Sequence, residues 1–171
     1  MKKSVIIILI FVGGVVAWHF FSANTKVPQK VAVEQNNLKV EEKSNISQVQ
    51  IAGKNIKVEI ADTDESREKG LSGHALLKDD EGMLFIFDHP SKYAFWMKDM
   101  NFPIDIIWMT SSELGESNDL QVVFIQKNAE PSSYPSVFLP SNPANYVLEV
   151  NAGFSQKNNL QIGDTAKFLP F

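Results

Sequence analysis

Residues 82–109 limit the possible folds of this chain more than any other segment. Aromatic and branched side chains dominate there, and turn-type residues divide them into short runs that are typical of strands. Residues 93–98 and 104–109 are predicted to form a hairpin with a polar loop between the two strands. Pro103 is expected at the start of the second strand, because proline cannot donate a hydrogen bond to a ladder.

The pairing register of this hairpin decides which side chains are buried. Pairing Lys98 with Asp105 makes one face wholly apolar, whereas a slip of one residue would put Asp105 on that face. The apolar face then holds Phe95, Met97, Ile106 and Trp108, which we expect to be core. The opposite face carries Trp96 beside the charge pair, which is either an ordinary cross-strand ion pair or part of a binding groove.

A short helix is predicted from the capping pattern before Arg67, the only arginine of the chain. Asp62 or Thr63 is the N-cap candidate, and Gly70 or Gly73 is expected to end the helix. Arg67 forms either a surface ion pair with a neighbouring carboxylate or a buried bidentate contact. The candidate groove residues are Trp96, Lys98, Asp99, Asp105, Arg67 and Tyr93.

The rest of the body is predicted to consist mainly of strands. Residues 48–52 and 55–61 read as a hairpin, and strands follow at 120–127, 146–151 and 165–169, with a second short helix at 154–160. The proline-rich residues 128–145 resemble a binding loop or lid, for which Tyr134 and Phe138 are the candidate anchors. Glu149 is expected on the solvent-facing side of its strand. The predicted fold is mainly β, an antiparallel β-sandwich or barrel-like body with two short helices.

Several ordered motifs after about residue 50 resemble a known family. They are REKGLSG at 67–73, GMLFIF at 82–87, FWMKDM at 95–100, PIDII at 103–107, YVLEV at 146–150 with AG at 152–153, and LQIGD at 160–164. Together they resemble the bacterial and archaeal family called domain of unknown function 192. This chain has Asp99, Ser72 and His74 where that family usually has Asn, Met and Arg. The resemblance implies a mostly β sandwich or barrel at 49–171 and no established activity.

The N-terminal segment has the pattern of a membrane anchor. Lys2 and Lys3 precede an apolar run, and residues 4–21 are close to the minimum length for a spanning helix. We favour an uncleaved anchor at 1–23 over a signal peptide, because no clean cleavage site follows the run. The lysines are expected to stay inside, so that the body is periplasmic or extracellular, or secreted if the segment is cleaved. Residues 24–48 are polar and read as a flexible linker.

Composition excludes several classes of function. The chain has no cysteine, which removes disulfides and thiol chemistry. Residues 49–171 carry nine Lys and one Arg against seventeen acidic residues, a balance that disfavours nucleic acid as a partner. The acidic turn at 79–81 lacks the ligand spacing of a calcium loop, so no metal site is predicted. No cofactor motif is present.

Three functions remain open from the sequence. The first is an exported, membrane-tethered module that binds a small ligand, a glycan or a protein partner in the candidate groove. The second is an envelope hydrolase that uses Asp99 and Asp105 as a carboxylate pair, as glycosidases do. No nucleophile motif or phosphate loop supports an enzyme, so no catalytic residue is assigned. The third is a purely structural envelope domain. Whether Asp99 and Asp105 face one pocket distinguishes the second function from the others.

Overall fold

The structure is a computed structural model, and it describes residues 47–112 and 118–171. The predicted anchor, and the predicted linker except for its last two residues, lie outside the described residues. Within the described part, no helix is long and apolar enough to span a membrane.

The described residues form short strands and two short helices. The strands are β1 (Gln48–Ile51), β2 (Lys54–Ala61), β3 (Glu81–Ser91), β4 (Phe95–Trp96), β5 (Ile104–Ser111), β6 (Asp119–Ala129), β7 (Val137–Phe138), β8 (Ala144–Asn151) and β9 (Thr165–Leu169). The helices are α1 (Asp64–Lys69) and α2 (Phe154–Lys157), and Pro131–Ser133 forms a 3-10 turn. The predicted mainly β fold with two short helices is confirmed.

Seven of these strands close into a barrel in the order β1-β2-β3-β8-β5-β6-β9, and β9 pairs with β1 to complete it. The neighbours β2 and β3 are parallel, whereas the other barrel pairs are antiparallel. The parallel pair arises because α1 and the segment after it carry the chain back across the barrel before β3 begins. Strands β4 and β7 form a separate two-stranded sheet.

Two apolar cores result from the alternation of side chains along the central strands. All seven barrel strands contribute to the first core, which fills the barrel interior and includes Leu84, Ile107 and Leu148. The adjacent residues Phe85, Ile106 and Val147 point the other way and belong to the second core. Phe95, Met97 and Leu71, which come from the segments around β4 and after α1, also belong to it. The outer face of β3, β8 and β5 is therefore covered by these segments.

The predicted hairpin between residues 93–98 and 104–109 is wrong. β4 has only two residues and pairs with β7, while β5 pairs with β6 on one side and β8 on the other. Asp105 lies opposite Val150 of β8, so the Lys98–Asp105 pair does not form. The reason is that β5 is a fully buried central strand from Ile104 to Met109, and two long ladders occupy both of its edges.

The apolar face inferred from that hairpin is nevertheless confirmed as core. Phe95, Met97, Ile106 and Trp108 are all buried in the second core. The Phe95 and Trp108 rings meet edge to face with centroids 5.6 Å apart. The alternation within each strand was therefore interpreted correctly, although the two strands do not pair with each other.

The start and end of α1 follow the sequence prediction. Thr63 is the N-cap, and its side chain accepts a hydrogen bond from the Ser66 amide while the Ser66 hydroxyl accepts one from the Thr63 amide. The helix ends at Gly70, which has a φ of 50°. A β-carbon at Gly70 would lie 3.3 Å from the Phe85 ring. Glycine at this position therefore permits the left-handed turn and keeps the helix end close to the second core.

Candidate functional site

A cavity of about 320 Å³ lies between the end of α1, the strand β3 and the small β4–β7 sheet. Its walls are mainly apolar and include Leu71, Phe85, Phe87, Tyr93, Phe95, Trp96, Met100 and Val137. Polar residues at its surface include Arg67, Glu68, Lys69, Ser72 and Glu149. A concave, mostly aromatic surface with a few polar groups is the usual form of a small-molecule site.

Glu149 is the buried acid of this cavity. It lies on β8 between Met83 of β3 and Ile106 of β5, and only 4% of it is exposed. Its Oε2 atom has no hydrogen-bond partner among the described residues. Burial raises the pKa of Glu149 from its ordinary value of 4.5 to about 8. Glu149 is therefore mainly a neutral carboxylic acid at neutral pH.

The predicted solvent-facing position of Glu149 is wrong because the outer face of β8 is covered. Glu149 points away from Leu148 and Val150, which belong to the barrel interior, and so faces the second core and the cavity. The close approach of β3 to β8 depends on Gly82. A β-carbon at Gly82 would lie 2.7 Å from the Glu149 carbonyl oxygen, nearer than van der Waals contact allows.

Arg67 fixes one wall of the cavity through contacts within the protein. Its Nη1 donates to the carbonyls of Asp62 and Ile86, each at 2.7 Å, and its Nη2 donates to the Asp64 carboxylate at 2.7 Å. The guanidinium also lies over the Phe87 ring, 5.1 Å from its centroid. The ion pair predicted as one option for Arg67 is present, and the Ile86 contact additionally ties α1 to β3.

Tyr93 and Trp96 line the cavity from the segment around β4. The Tyr93 ring stacks on Phe87 with centroids 3.6 Å apart, and its hydroxyl donates to the His89 carbonyl. The Trp108 indole Nε1 donates to the Tyr93 carbonyl at 3.1 Å, which fixes the backbone there. Trp96 is 45% exposed. Arg67, Tyr93 and Trp96, three of the six candidate residues, therefore line one cavity.

Lys98 and Asp99 line a neighbouring depression of about 260 Å³ together with Glu65, Glu68, Lys69 and Ser72. Their fixed contacts are made by backbone atoms. The Ser72 hydroxyl donates to the Lys98 carbonyl at 2.8 Å, and the Gly73 amide donates to the Asp99 carbonyl at 2.9 Å. Asp99 has a φ of 55°, a left-handed conformation that Asp and Asn tolerate better than most residues. Asp99 is thus a turn residue beside the cavity.

Asp105 does not border the cavity, which corrects its place among the candidate groove residues. It is 0% exposed, and its carboxylate accepts hydrogen bonds from the amides of Asn128 at 2.9 Å, Gly153 at 3.2 Å and Ser155 at 2.8 Å. These contacts join the start of β5 to the end of β6 and to the start of α2. Asp99 and Asp105 therefore share no pocket, and the carboxylate-pair hypothesis has no geometric support.

Sequence reasoning missed Glu149 as a site residue. The available signal was its position between Leu148 and Val150 on a strand rich in apolar residues, in which a lone acid is unusual. Asp105, between Ile104 and Ile106, carries the same signal but is satisfied by three amides. The sequence pattern can identify both acids as buried, but only the contacts separate the satisfied acid from the unsatisfied one.

A second cavity of about 470 Å³ is larger, and its lining includes Lys54, Asn55, Asp79, Asp80 and Lys157. Its lining contains none of the buried polar atoms that lack a partner in residues 47–112 and 118–171, which are His74 Nδ1, Glu149 Oε2 and Ser155 Oγ. No group of three or more metal-ligating side chains occurs in the described ranges.

Comparisons with known proteins place this fold in a family. Two solved structures are similar to it, each at 27% sequence identity. One, from Sinorhizobium meliloti 1021 and provisionally assigned as a transcription regulator, has a TM-score of 0.63 over 73% of this chain and 93% of its own. The other, a protein of unknown function from Novosphingobium aromaticivorans, has a TM-score of 0.59 over 71% of this chain and 83% of its own.

No curated protein matches the chain. The family model for domain of unknown function 192, described as an uncharacterised ACR, matches residues 47–168. That match spans the barrel, the cavity and all six candidate residues, and it covers more than half of the 171 residues. The chain therefore belongs to the domain of unknown function 192 family.

Proposed function

We propose that this protein is a binding module that holds a small, largely apolar molecule in the cavity beside Glu149. The observation that carries the proposal is that Glu149 lines an aromatic cavity while its buried Oε2 atom has no hydrogen-bond partner among the described residues. Buried polar groups in proteins nearly always have a hydrogen-bond partner, so an exception requires an explanation. A ligand that supplies the missing contact is such an explanation.

The cost of keeping Glu149 in the core supports a role in binding. Desolvation alone accounts for its raised pKa, so no neighbouring cation compensates for burial of the charged form. An apolar residue of similar volume would fill the same space without this penalty. Strongly perturbed acids in clefts are found most often at functional sites.

The rigidity of the walls also favours ligand binding. Arg67 is held by two carbonyls and a carboxylate, Phe87 and Tyr93 stack face to face, and Trp108 ties down the Tyr93 backbone. Fixed walls lower the conformational entropy that a ligand must remove on binding. The half-exposed Trp96 in the lining supplies an aromatic surface of the type found at binding hot spots.

We further propose that the binding domain is exported and tethered to the membrane by residues 4–21. The basis is the sequence pattern of Lys2, Lys3 and the apolar run that follows. A reporter enzyme fused after Phe171 and active only outside the cytoplasm would then give a signal. Activity of the complementary cytoplasmic reporter, or a mature N-terminus near Ala23, would contradict the tether without affecting the cavity.

Nucleic acid is a weaker candidate ligand for this chain. The solved structure from Sinorhizobium meliloti is provisionally assigned as a transcription regulator, but that description belongs to that protein. In this chain, the excess of acidic residues over basic ones from residue 49 onward opposes contact with phosphates. We therefore propose a small molecule as the ligand.

The binding proposal can be tested with a variant that blocks the cavity. The full-length protein is screened by NMR against a library of small aromatic and aliphatic compounds. Ala94 is exposed and lines the cavity, so Ala94→Trp should abolish the binding of any hit while the fold is retained. Lys157→Trp, at the second cavity, is the control and should leave binding unchanged. Hits that bind equally to both variants, or no hits at all, would contradict the proposal.

A further inference from the structure

Building on the proposed function, we infer that the ligand carries a primary ammonium group, which pairs with Glu149 while its apolar body packs against the aromatic walls. Three properties of the cavity support this: the buried, unpartnered oxygen of Glu149, the aromatic rings that line the cavity, and the placement of the charged groups in its lining.

The free carboxyl oxygen selects for a hydrogen-bond donor. Oε2 of Glu149 is buried and has no partner among the described residues. The neighbours of Glu149 on the adjacent strands are Met83 and Ile106, which offer no polar side chain. An ammonium N–H that reaches the Glu149 carboxyl group from the cavity would donate a charge-assisted hydrogen bond, which is roughly twice as strong as a neutral one.

The rings of the cavity also favour a cation. Phe85, Phe95, Tyr93 and Trp96 all line it, and aromatic faces attract ammonium groups through the ring quadrupole. Phe87, which also lines the cavity, already contacts a cation, since the Arg67 guanidinium lies over its ring. An aromatic or aliphatic body attached to the ammonium would pack against the remaining apolar surface.

The charged groups of the lining do not compete for Glu149. Arg67 already donates hydrogen bonds to Asp62, Ile86 and Asp64. Desolvation is the only cause of the raised pKa of Glu149, so no cation stabilises the charged form of Glu149. Glu68 and Lys69, at the end of α1, bring one charge of each sign, and the Tyr93 hydroxyl donates a hydrogen bond to the His89 carbonyl. The acidic body as a whole attracts cations and repels anions.

Binding of an ammonium should release one proton to solvent. The free site holds the neutral acid, whereas the ammonium pairs with the carboxylate, so the Glu149 proton leaves as the cation enters. Because the pKa of Glu149 in the free protein is about 8, the ionised fraction rises with pH up to that value. Affinity for an ammonium should thus increase about tenfold from about pH 6 to about pH 7, and about fivefold more by about pH 8.

Three probes of one shape test the charge requirement: benzylamine, benzyl alcohol and benzoate. The ammonium of benzylamine is somewhat more acidic than that of lysine, with its pKa of ~10.4, but it still titrates above about pH 8, so benzylamine stays mainly charged across this pH range. Dissociation constants are measured by NMR titration of the full-length protein, with Ala94→Trp as the control for binding outside the cavity. We expect benzylamine to bind at least about tenfold more tightly than benzyl alcohol at about pH 8, and benzoate not to bind.

Glu149→Gln separates the ammonium inference from the binding proposal. The amide is close in shape to the neutral acid, so the variant should still bind benzyl alcohol but lose both the preference for benzylamine and its pH dependence. Glu59→Gln, an exposed change on β2 away from the cavity lining, should keep both. Equal binding of benzylamine and benzyl alcohol, blocked by Ala94→Trp, would overturn the ammonium inference and leave the binding proposal standing. Failure of all three probes to bind in the cavity would overturn the ammonium inference.

Discussion

Replacing Glu149 with glutamine should stabilise the protein, and the gain should grow with pH. The pKa of Glu149 is about 8 in the folded state, against an ordinary value of 4.5 that we assign to the unfolded chain. At a pH between these two pKa values, Glu149 keeps its proton in the folded state but has lost it in the unfolded state. Raising the pH therefore favours unfolding, and the stability associated with the protonated acid, fully present below 4.5, is lost as pH approaches 8.

The size of the effect follows from the interval between the two pKa values. One pH unit corresponds to about 1.4 kcal/mol, so the wild-type protein should lose roughly 3–4 kcal/mol between about pH 5 and about pH 8 through this residue alone. Glutamine cannot ionise, so Glu149→Gln should escape this loss. At about pH 7 the variant should be more stable by up to about 3 kcal/mol, provided its amide finds hydrogen-bond geometry as favourable as that of the neutral acid.

Urea denaturation at several pH values measures this difference directly. The difference in unfolding free energy between wild type and Glu149→Gln removes the contribution of every other titrating group. Glu59→Gln, an exposed change on β2, serves as the matched control and should follow the wild type within about 0.5 kcal/mol. A difference between wild type and Glu149→Gln that does not change from about pH 5 to about pH 8 would refute the reasoning.

Three further predictions concern packing within the fold, the first of them with Asp99→Asn as its comparison. Asp105→Asn should destabilise the protein by roughly 3 kcal/mol in denaturant titrations, because an amide cannot accept from three backbone N–H groups as a carboxylate does. Asp99→Asn, at the exposed turn, should change stability by less than about 0.5 kcal/mol. Similar losses of stability from both substitutions would contradict the assigned roles. Gly82→Ala should lower the thermal midpoint and cost about 1–3 kcal/mol, because its β-carbon would lie 2.7 Å from a carbonyl oxygen of β8; an unchanged midpoint would exclude this close approach. Trp108→Ala should cost roughly 3–5 kcal/mol in calorimetry, as for other buried aromatic side chains, and a loss below about 1 kcal/mol would show that this face is not core.

Local patterns in the sequence were sufficient for most of the secondary structure. Thr63 and Gly70 bound α1 as their capping chemistry predicts, and the strand at 165–169 was predicted with its observed bounds. The alternation along residues 95–97 and 104–109 also identified one buried face, although the opposite face of β5, with Ile107 and Met109, proved to be buried as well. These features depend on neighbours within a few residues, which the sequence displays directly.

Strand pairing depends on residues that are distant in the sequence, and the hairpin predicted from local spacing was wrong. The chain between β4 and β5 resembles a hairpin loop, but the ladders of β5 with β6 and β8 take both edges of that strand. Phe95 and Trp96 pair instead with Val137 and Phe138, some forty residues later. Local spacing carries no information about such a partner.

The candidate site shows the same limit. Arg67, Tyr93 and Trp96 were identified by residue type and do meet in one cavity. Glu149 was assigned to a solvent-facing position, because nothing local to its strand shows that α1 and β4 cover that face. Asp105 was assigned to the groove because the three backbone amides that bind its carboxylate come from two other segments of the chain, and nothing near Asp105 in the sequence reveals them.

The most direct test of the account is the titration of the Glu149 carboxyl carbon itself by carbon-13 NMR, in the full-length protein with and without saturating benzylamine. The free protein should show a midpoint at about 8, and benzylamine should lower it, because the ammonium stabilises the carboxylate. A midpoint near 4.5 in the free protein would contradict the buried, unpartnered acid on which the binding proposal rests. A midpoint at about 8 that benzylamine leaves unchanged would contradict the ammonium site.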